Sequence, residues 1–311
     1  MIRLGTEHLE VGVDESRGAE IVRLGRPGGV NRLAWIDSDW PLRAGAGGAY
    51  HSADLDWLSE HRGGWQEMFP NAGAGCTFDG IPHPVHGEVS VAPWQVVDRA
   101  GEHDLTLRCH THTPLVLTRR MRLDPECPRL EIEEVIHNPS DLAFAYAWGH
   151  HPAFAAPPGT RLELGAARYR GEAGLATPEA DLGPDCGGDW PWAEGRDGTR
   201  IDLSLMPDHP AERVLYITEP EETEAHLLRP DTGDRLTLKW CADAFPYAWV
   251  WINRGATRFP WFGRLNSIAV EPVNVWPADG LSAAVDRGQA PVLPGGESRR
   301  GWLVVSLSDD R

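Results

Sequence analysis

An all-β fold, built as a large sandwich or barrel, is predicted on three observations. Short segments that alternate apolar and polar residues recur along the whole chain, long amphipathic helical patterns are missing, and 34 glycines and 26 prolines break the chain at short intervals. The alternation runs through Leu9–Val13, Leu105–Cys109, Leu130–Val135, Arg213–Ile217, His226–Arg229, Arg235–Trp240, Tyr247–Trp251 and Gly301–Leu307. Each reads as a strand with one face buried, because successive side chains of a strand point to opposite sides. Leu142–Trp148 is apolar on both phases and reads as a fully buried strand ending at Gly149. The least regular stretch, Ala155 to Gly198, carries Ala156-Pro157-Pro158-Gly159 and Gly187-Gly188-Asp189 and reads as an excursion of loops. Only few, short helices are expected. Candidate functional residues lie on both sides of that stretch, so residues 1–311 are expected to form a single domain.

The chain has 311 residues, of which 41% are hydrophobic and 24% charged, the balance of a globular protein. Its formal net charge of −17 opposes binding to nucleic acid. Five cysteines, Cys76, Cys109, Cys127, Cys186 and Cys241, stand singly, in an odd number and without a CxxC pair. This pattern fits neither a disulfide framework nor a cysteine zinc site, and it suits a reducing compartment. The N-terminus lacks an apolar signal core and no run approaches a membrane span, so the expected location is cytoplasmic, with no membrane partner.

Three short segments place acids or bases beside backbone-restricting residues: His83-Pro84-Val85-His86-Gly87-Glu88, Gly149-His150-His151-Pro152 and Val270-Glu271-Pro272-Val273-Asn274. They are too far apart in sequence for any local element to join them, so only a shared cleft of a folded scaffold brings them together. In the first, Gly87 lets backbone approach a ligand closely and Glu88 is expected on the same side as His86. In the second, neighbouring strand residues face opposite ways, so one histidine enters the pocket, and Pro152 stiffens His151; His150 is then structural. In the third, an apolar strand carries the Glu271 carboxylate, which is costly to bury unless paired or used. An ion pair with an arginine and histidines satisfied by backbone are the plain alternatives.

The order HGE, GHHPAF, VEPVNVWP resembles the aldose 1-epimerase (galactose mutarotase-like) family. Gly63-Gly64-Trp65-Gln66-Glu67-Met68-Phe69-Pro70-Asn71 resembles its stretch before the HG motif, and Leu293-Pro294-Gly295-Gly296-Glu297 its final turn. The resemblance spans most of the chain. It implies an antiparallel β-supersandwich, with His151 as general acid, His86 as a ring-oxygen partner and Glu271 as general base. Asn71 falls within the matched motif, and Trp65, Trp148 and Trp276 lie beside the motifs; with Glu88 these are the expected sugar-binding residues. The sequence departs from the family where sugar hydroxyls are held: Ala72-Gly73-Ala74-Gly75 follows Asn71 in place of an arginine, and Glu88 replaces the aromatic after HG. The sugar therefore stays open.

Interconverting anomers requires a base at the anomeric hydroxyl and an acid at the ring oxygen, which opens the hemiacetal, with the roles reversed on closure. A carboxylate and an imidazole suffice, so neither cofactor nor metal is expected. The alternatives are a hexose-phosphate epimerase, which needs converging arginines, and a noncatalytic carbohydrate-binding protein, which needs no acid–base pair. A metal site at His83, His86 and Glu88 ranks last.

Overall fold

The computed structural model describes residues 1–35, 53–183 and 186–309. Two antiparallel sheets dominate it. One has ten strands in the spatial order Ile2–Gly5, Glu10–Asp14, Glu20–Gly25, Gly64–Met68, Gly149–Ala155, Asn266–Val273, Tyr247–Arg254, Ala211–Pro220, Ala167–Gly171 and Gly187–Asp189. The other has eight, in the order Arg161–Leu164, Glu224–Arg229, Asp234–Trp240, Ser298–Asp309, Arg129–His137, Val116–Leu123, Asp104–His110 and Gln95–Ala100. Among the described residues the helices are α1 (Ala53–Glu60), α2 (Leu281–Asp286) and a 3-10 turn at Glu88–Ser90. No helix among the described residues is long and apolar enough to cross a membrane.

The period of two sorts side chains between faces. In Asn266–Val273, Ile268 and Val270 join the main core, while Ala269 and Val273 belong to two separate apolar clusters. In Tyr247–Arg254, Ala248, Val250 and Ile252 join the same core, with Trp249 and Trp251 on the opposite face. Leu105, Leu107, Leu117, Met121, Leu130, Ile132, Leu303 and Val305 meet them from the eight-stranded sheet. The core is thus the layer between the sheets, as the alternating segments predict. The far face of the ten-stranded sheet is partly covered by the two smaller clusters, and the site lies between them.

Two readings of the chain need correction. Leu142–Trp148 is not a strand ending at Gly149: only Phe144–Ala145 pairs, and the strand begins at Gly149. Its backbone N–H groups go to separate places, Tyr146 to Pro291, Ala147 to Pro70 and Trp148 to the Asn274 side chain, so no ladder forms. The stretch Ala155–Gly198 is not a loop excursion either. Arg161–Leu164 adds an edge to the eight-stranded sheet, Ala167–Gly171 and Gly187–Asp189 close one side of the ten-stranded sheet, and Trp192–Glu194 makes a hairpin with Arg200–Asp202. These strands have three to five residues, too few for an alternating pattern to stand out.

Candidate active site

The site is one row of side chains across the centre of the ten-stranded sheet. Gly149 pairs with Val273 and Ala153 with Ala269, which sets His151 level with Glu271 on the adjoining strand. On the other side His151 pairs with Gln66; beyond Glu271 the row continues through Trp249 to Tyr216. Neighbouring strands lie about 4.8 Å apart, and His151 Nε2 stands 3.5 Å from Glu271 Oε1. Both are nearly enclosed, at 5% and 3% exposure. Burial disfavours either charge: it pushes Glu271 up to about 8 and His151 down to about 4. Between these values the pair holds one proton.

His86 comes from a turn. The strand Ile81–His83 ends before it, and Gly87, at φ 78°, turns the chain into Glu88–Ser90. A Cβ on Gly87 would lie 2.3 Å from the Phe69 carbonyl oxygen, so the close approach requires glycine. His86 itself is left-handed at φ 56°. The Gly73 N–H donates to His86 Nδ1 at 3.2 Å, which leaves the proton of the neutral ring on Nε2. Burial, then the nearby His151, hold this imidazole well below its usual range. Its ring centre lies 5.3 Å from that of His151. His86, His151 and Glu271 are thus brought together from three distant segments.

Aromatic rings surround them. Trp249 lies 6.5 Å from His86 and Trp251 5.8 Å from His151. Trp249 donates its Nε1 proton to the Val275 carbonyl, and Trp251 to Glu212, whose carboxylate also receives Arg258. Tyr216 hydrogen-bonds the Glu172 carboxylate and stands 6.1 Å from Trp276, which is partly buried at that end of the row. Over the histidines lies Trp57 of α1, 4.5 Å from His86 and 6.1 Å from His151. His61, just past α1, stacks on Trp57 at 4.6 Å and meets His151 edge-on at 5.3 Å.

Other expected site residues are placed elsewhere. Trp65 and Trp148 point into the core, because they share strand phase with Glu67 or precede the reversal at Gly149, and both are 1% exposed. Their indoles donate to His150 Nδ1 at 3.2 Å and to Glu67 Oε1 at 2.7 Å. Asn71 is a strut: its amide donates to the Ala74 and Pro84 carbonyls and its oxygen accepts from Leu281 N–H. Glu88 is turned away by Gly87 and accepts from the His112 backbone N–H at 2.7 Å, with the His112 ring at 2.6 Å. His83, His86 and Glu88 do not form a ligand set. Among the described residues the group of acids and histidines close enough to hold an ion is Glu67, Glu134 and His150. A guanidinium is already there: Arg119 bonds Glu134 at 2.8 Å and Glu67, while His150 Nε2 lies 3.0 Å from Glu134. This network ties the two sheets behind the site, and it gives His150 its place on the core face.

His61, Gln66, Trp57, Trp249 and Trp251 were not singled out in the sequence. Trp57 and His61 are four residues apart, the spacing that stacks side chains on one helix face, but that spacing does not direct them at the site.

Scans against protein-family models and curated protein sequences found no match. Solved structures do match over nearly the whole chain. A protein from Synechocystis sp. PCC 6803 has 18% identity and a TM-score of 0.69, covering 99% of this chain and 95% of its own. A galactose mutarotase-like protein from Lactobacillus casei has 20% identity and a TM-score of 0.66, covering 99% and 100%. The fold is galactose mutarotase-like. A galactose mutarotase related enzyme from Lactobacillus acidophilus shares the mutarotase-like fold at 13% identity and a TM-score of 0.64, covering 98% of this chain and 96% of its own. At such identities the likeness establishes the fold, as the ordered motifs predicted, and the chemistry has to be argued from the site.

Proposed function

We infer that the protein interconverts the α and β anomers of an aldose by acid–base ring opening and reclosure, as an aldose 1-epimerase does. The observation that carries this reading is the facing pair, His151 Nε2 and Glu271 Oε1, on adjacent strands of a mutarotase-like sheet. Glu271 takes the proton of the anomeric hydroxyl, and His151 gives one to the ring oxygen. His86, with its proton on Nε2, donates a hydrogen bond to the same oxygen. The C1–O5 bond breaks, the aldehyde rotates about C1–C2, and closure on the other face returns both protons. Atoms balance without a redox step.

Burial keeps the proton on Glu271 and leaves His151 neutral, so the cycle requires that proton to pass to His151 first. With one proton between them, the pair exchanges the neutral form for the carboxylate–imidazolium form by moving that proton alone. A bound sugar's hydroxyls hydrogen-bond the charged form and bring it within reach. The aromatic walls suit the C–H faces of a pyranose. Trp57 lies across His86 and His151, so the sugar enters by displacing its indole from the two imidazoles.

Polarimetry of freshly dissolved aldoses tests the reading. The wild type is expected to accelerate the approach to equilibrium rotation beyond buffer, and His151→Ala to lose at least a hundredfold of that acceleration. Equal rates for the two would refute the assignment, and acceleration of no aldose by the wild type would refute the activity.

A further inference from the structure

A cavity of about 670 Å³ opens at one end of the sandwich, and none of His86, His151 and Glu271 lines it. Its wall is formed where the Tyr247–Arg254 and Ser298–Asp309 strands begin and the Asn266–Val273 strand has just ended. Tyr146 and Trp148, which also line it, belong to the core between the sheets, whereas the catalytic row lies on the far face of the ten-stranded sheet. Two guanidiniums reach this cavity, from Arg299 and Arg300. Successive strand residues leave on opposite sides, so the two arrive from different directions. Among the described residues neither arginine has a carboxylate within ion-pair distance, in a chain where 46 acids face 29 bases.

Two buried side chains add donors to the same wall. Asn274, 6% exposed, is held on both sides by Trp148: its backbone N–H donates to the Trp148 carbonyl at 3.0 Å, and its Oδ1 accepts from the Trp148 N–H at 2.8 Å. The amide is thereby fixed in orientation, and among the described residues its Nδ2 protons have no acceptor. A buried donor left unpaired is costly and uncommon, so a ligand acceptor is its natural partner. Tyr146, 4% exposed, lies beside Arg299; burial raises its phenol above the usual range, against the pull of that arginine, so the hydroxyl keeps a proton to donate. The rest of the wall is ring surface, from Tyr247 and from Trp302, which is 43% exposed. We propose that this cavity binds an aromatic phosphate monoester of nucleotide size, its phosphoryl oxygens held by Arg299, Arg300, Tyr146 and Asn274 and its ring laid against Trp302 and Tyr247. Planar guanidiniums match phosphate oxygens in pairs, and aromatic side chains stack on a flat ring. Asp243 also lines the cavity, and a hydroxyl of the ligand is its fitting partner. The volume lies within the range of small-molecule sites and leaves room beyond a phosphoryl group. Because the arginines converge away from His151 and Glu271, they serve a second ligand and not the molecule bound at that pair.

Titration calorimetry of the whole protein at low salt tests this with adenosine 5′-monophosphate, phenyl phosphate, adenosine and inorganic phosphate. The wild type is expected to bind the monophosphate, and to bind adenosine and inorganic phosphate each at least about tenfold more weakly, since each lacks one half of the contacts. Arg299→Gln combined with Arg300→Gln should weaken the monophosphate by about tenfold or more, at exposed positions where folding is not at stake. Asn274→Asp keeps the acceptor for the Trp148 N–H, replaces the donor by an acid and should weaken it as much, with the urea midpoint checked alongside. His151→Ala should bind the monophosphate as wild type does. Failure of both aromatic phosphates to bind below about 1 mM, adenosine or inorganic phosphate bound as tightly as the monophosphate, or unchanged affinity in the double arginine variant would overturn the proposal. Loss of monophosphate binding in His151→Ala would overturn it too, by moving the ligand to the catalytic row. None of these readings depends on epimerase activity, so the site and that activity stand or fall separately.

Discussion

Replacing Glu271 by glutamine is expected to stabilise the protein while abolishing its activity. The carboxyl is enclosed, and burial pushes it from an ordinary 4.5 up to about 8. Between those values the folded state keeps a proton that the unfolded state releases, so stability falls as pH rises. The contribution is fully present below pH 4.5 and fully lost above pH 8. Each unit of that interval is worth about 1.4 kcal/mol, so at pH 7 the wild type has given up roughly 3 kcal/mol, and above pH 8 roughly 5 kcal/mol. Glutamine keeps the shape and never ionises. Urea unfolding of wild type and Glu271→Gln at several pH values between 4.5 and 8.5 reads the difference, since other titrating groups, including Glu20, are common to both proteins. The variant should be no more stable than wild type near pH 4.5 and more stable by roughly 3 kcal/mol at pH 7. A difference that does not change with pH, or a variant less stable at pH 7, would refute the burial argument.

Three further outcomes follow from the same contacts. The pH profile of kcat/KM should be flat between about 4 and about 8, where His151 and Glu271 hold one proton between them, and fall on both sides; it is read by polarimetry after subtraction of the buffer rate, and activity still rising above pH 9 contradicts the pairing. Arg119→Met should cost about 3–5 kcal/mol in a urea titration, because it leaves the buried Glu67 and Glu134 carboxylates without their cation; a loss below 1 kcal/mol would show the network to be dispensable. Gly87→Ala should lower stability by at least about 2 kcal/mol, combining a left-handed backbone with a Cβ 2.3 Å from the Phe69 carbonyl, and a wild-type urea midpoint would refute the turn's role.

The legible parts of this molecule are those governed by a period. Alternation located most long strands, and it separated His151 from His150 before any contact was known, because adjacent strand residues cannot share a face. Trp65 and Trp148 were placed by their position beside a motif, not by strand phase. Strands buried on both sides carry no polar phase to mark the pocket, so proximity to a motif was a poor guide to which way an indole points. Arg119 and Glu134 occupy core-facing phases where apolar residues are expected, and only the partner strands that bring Glu67 and His150 explain them. Glu88 was misplaced because a strand was continued through Gly87, whose positive φ ends it. His61 reaches the site through a tertiary packing of α1 that no local pattern specifies.

The central claim is that His151 and Glu271 together open and close a hemiacetal. Saturation transfer between the α and β anomeric protons of glucose and galactose measures that exchange directly at equilibrium. The account predicts transfer in the presence of wild-type protein and none above the buffer level with either His151→Ala or Glu271→Gln. Undiminished transfer with both variants would contradict it.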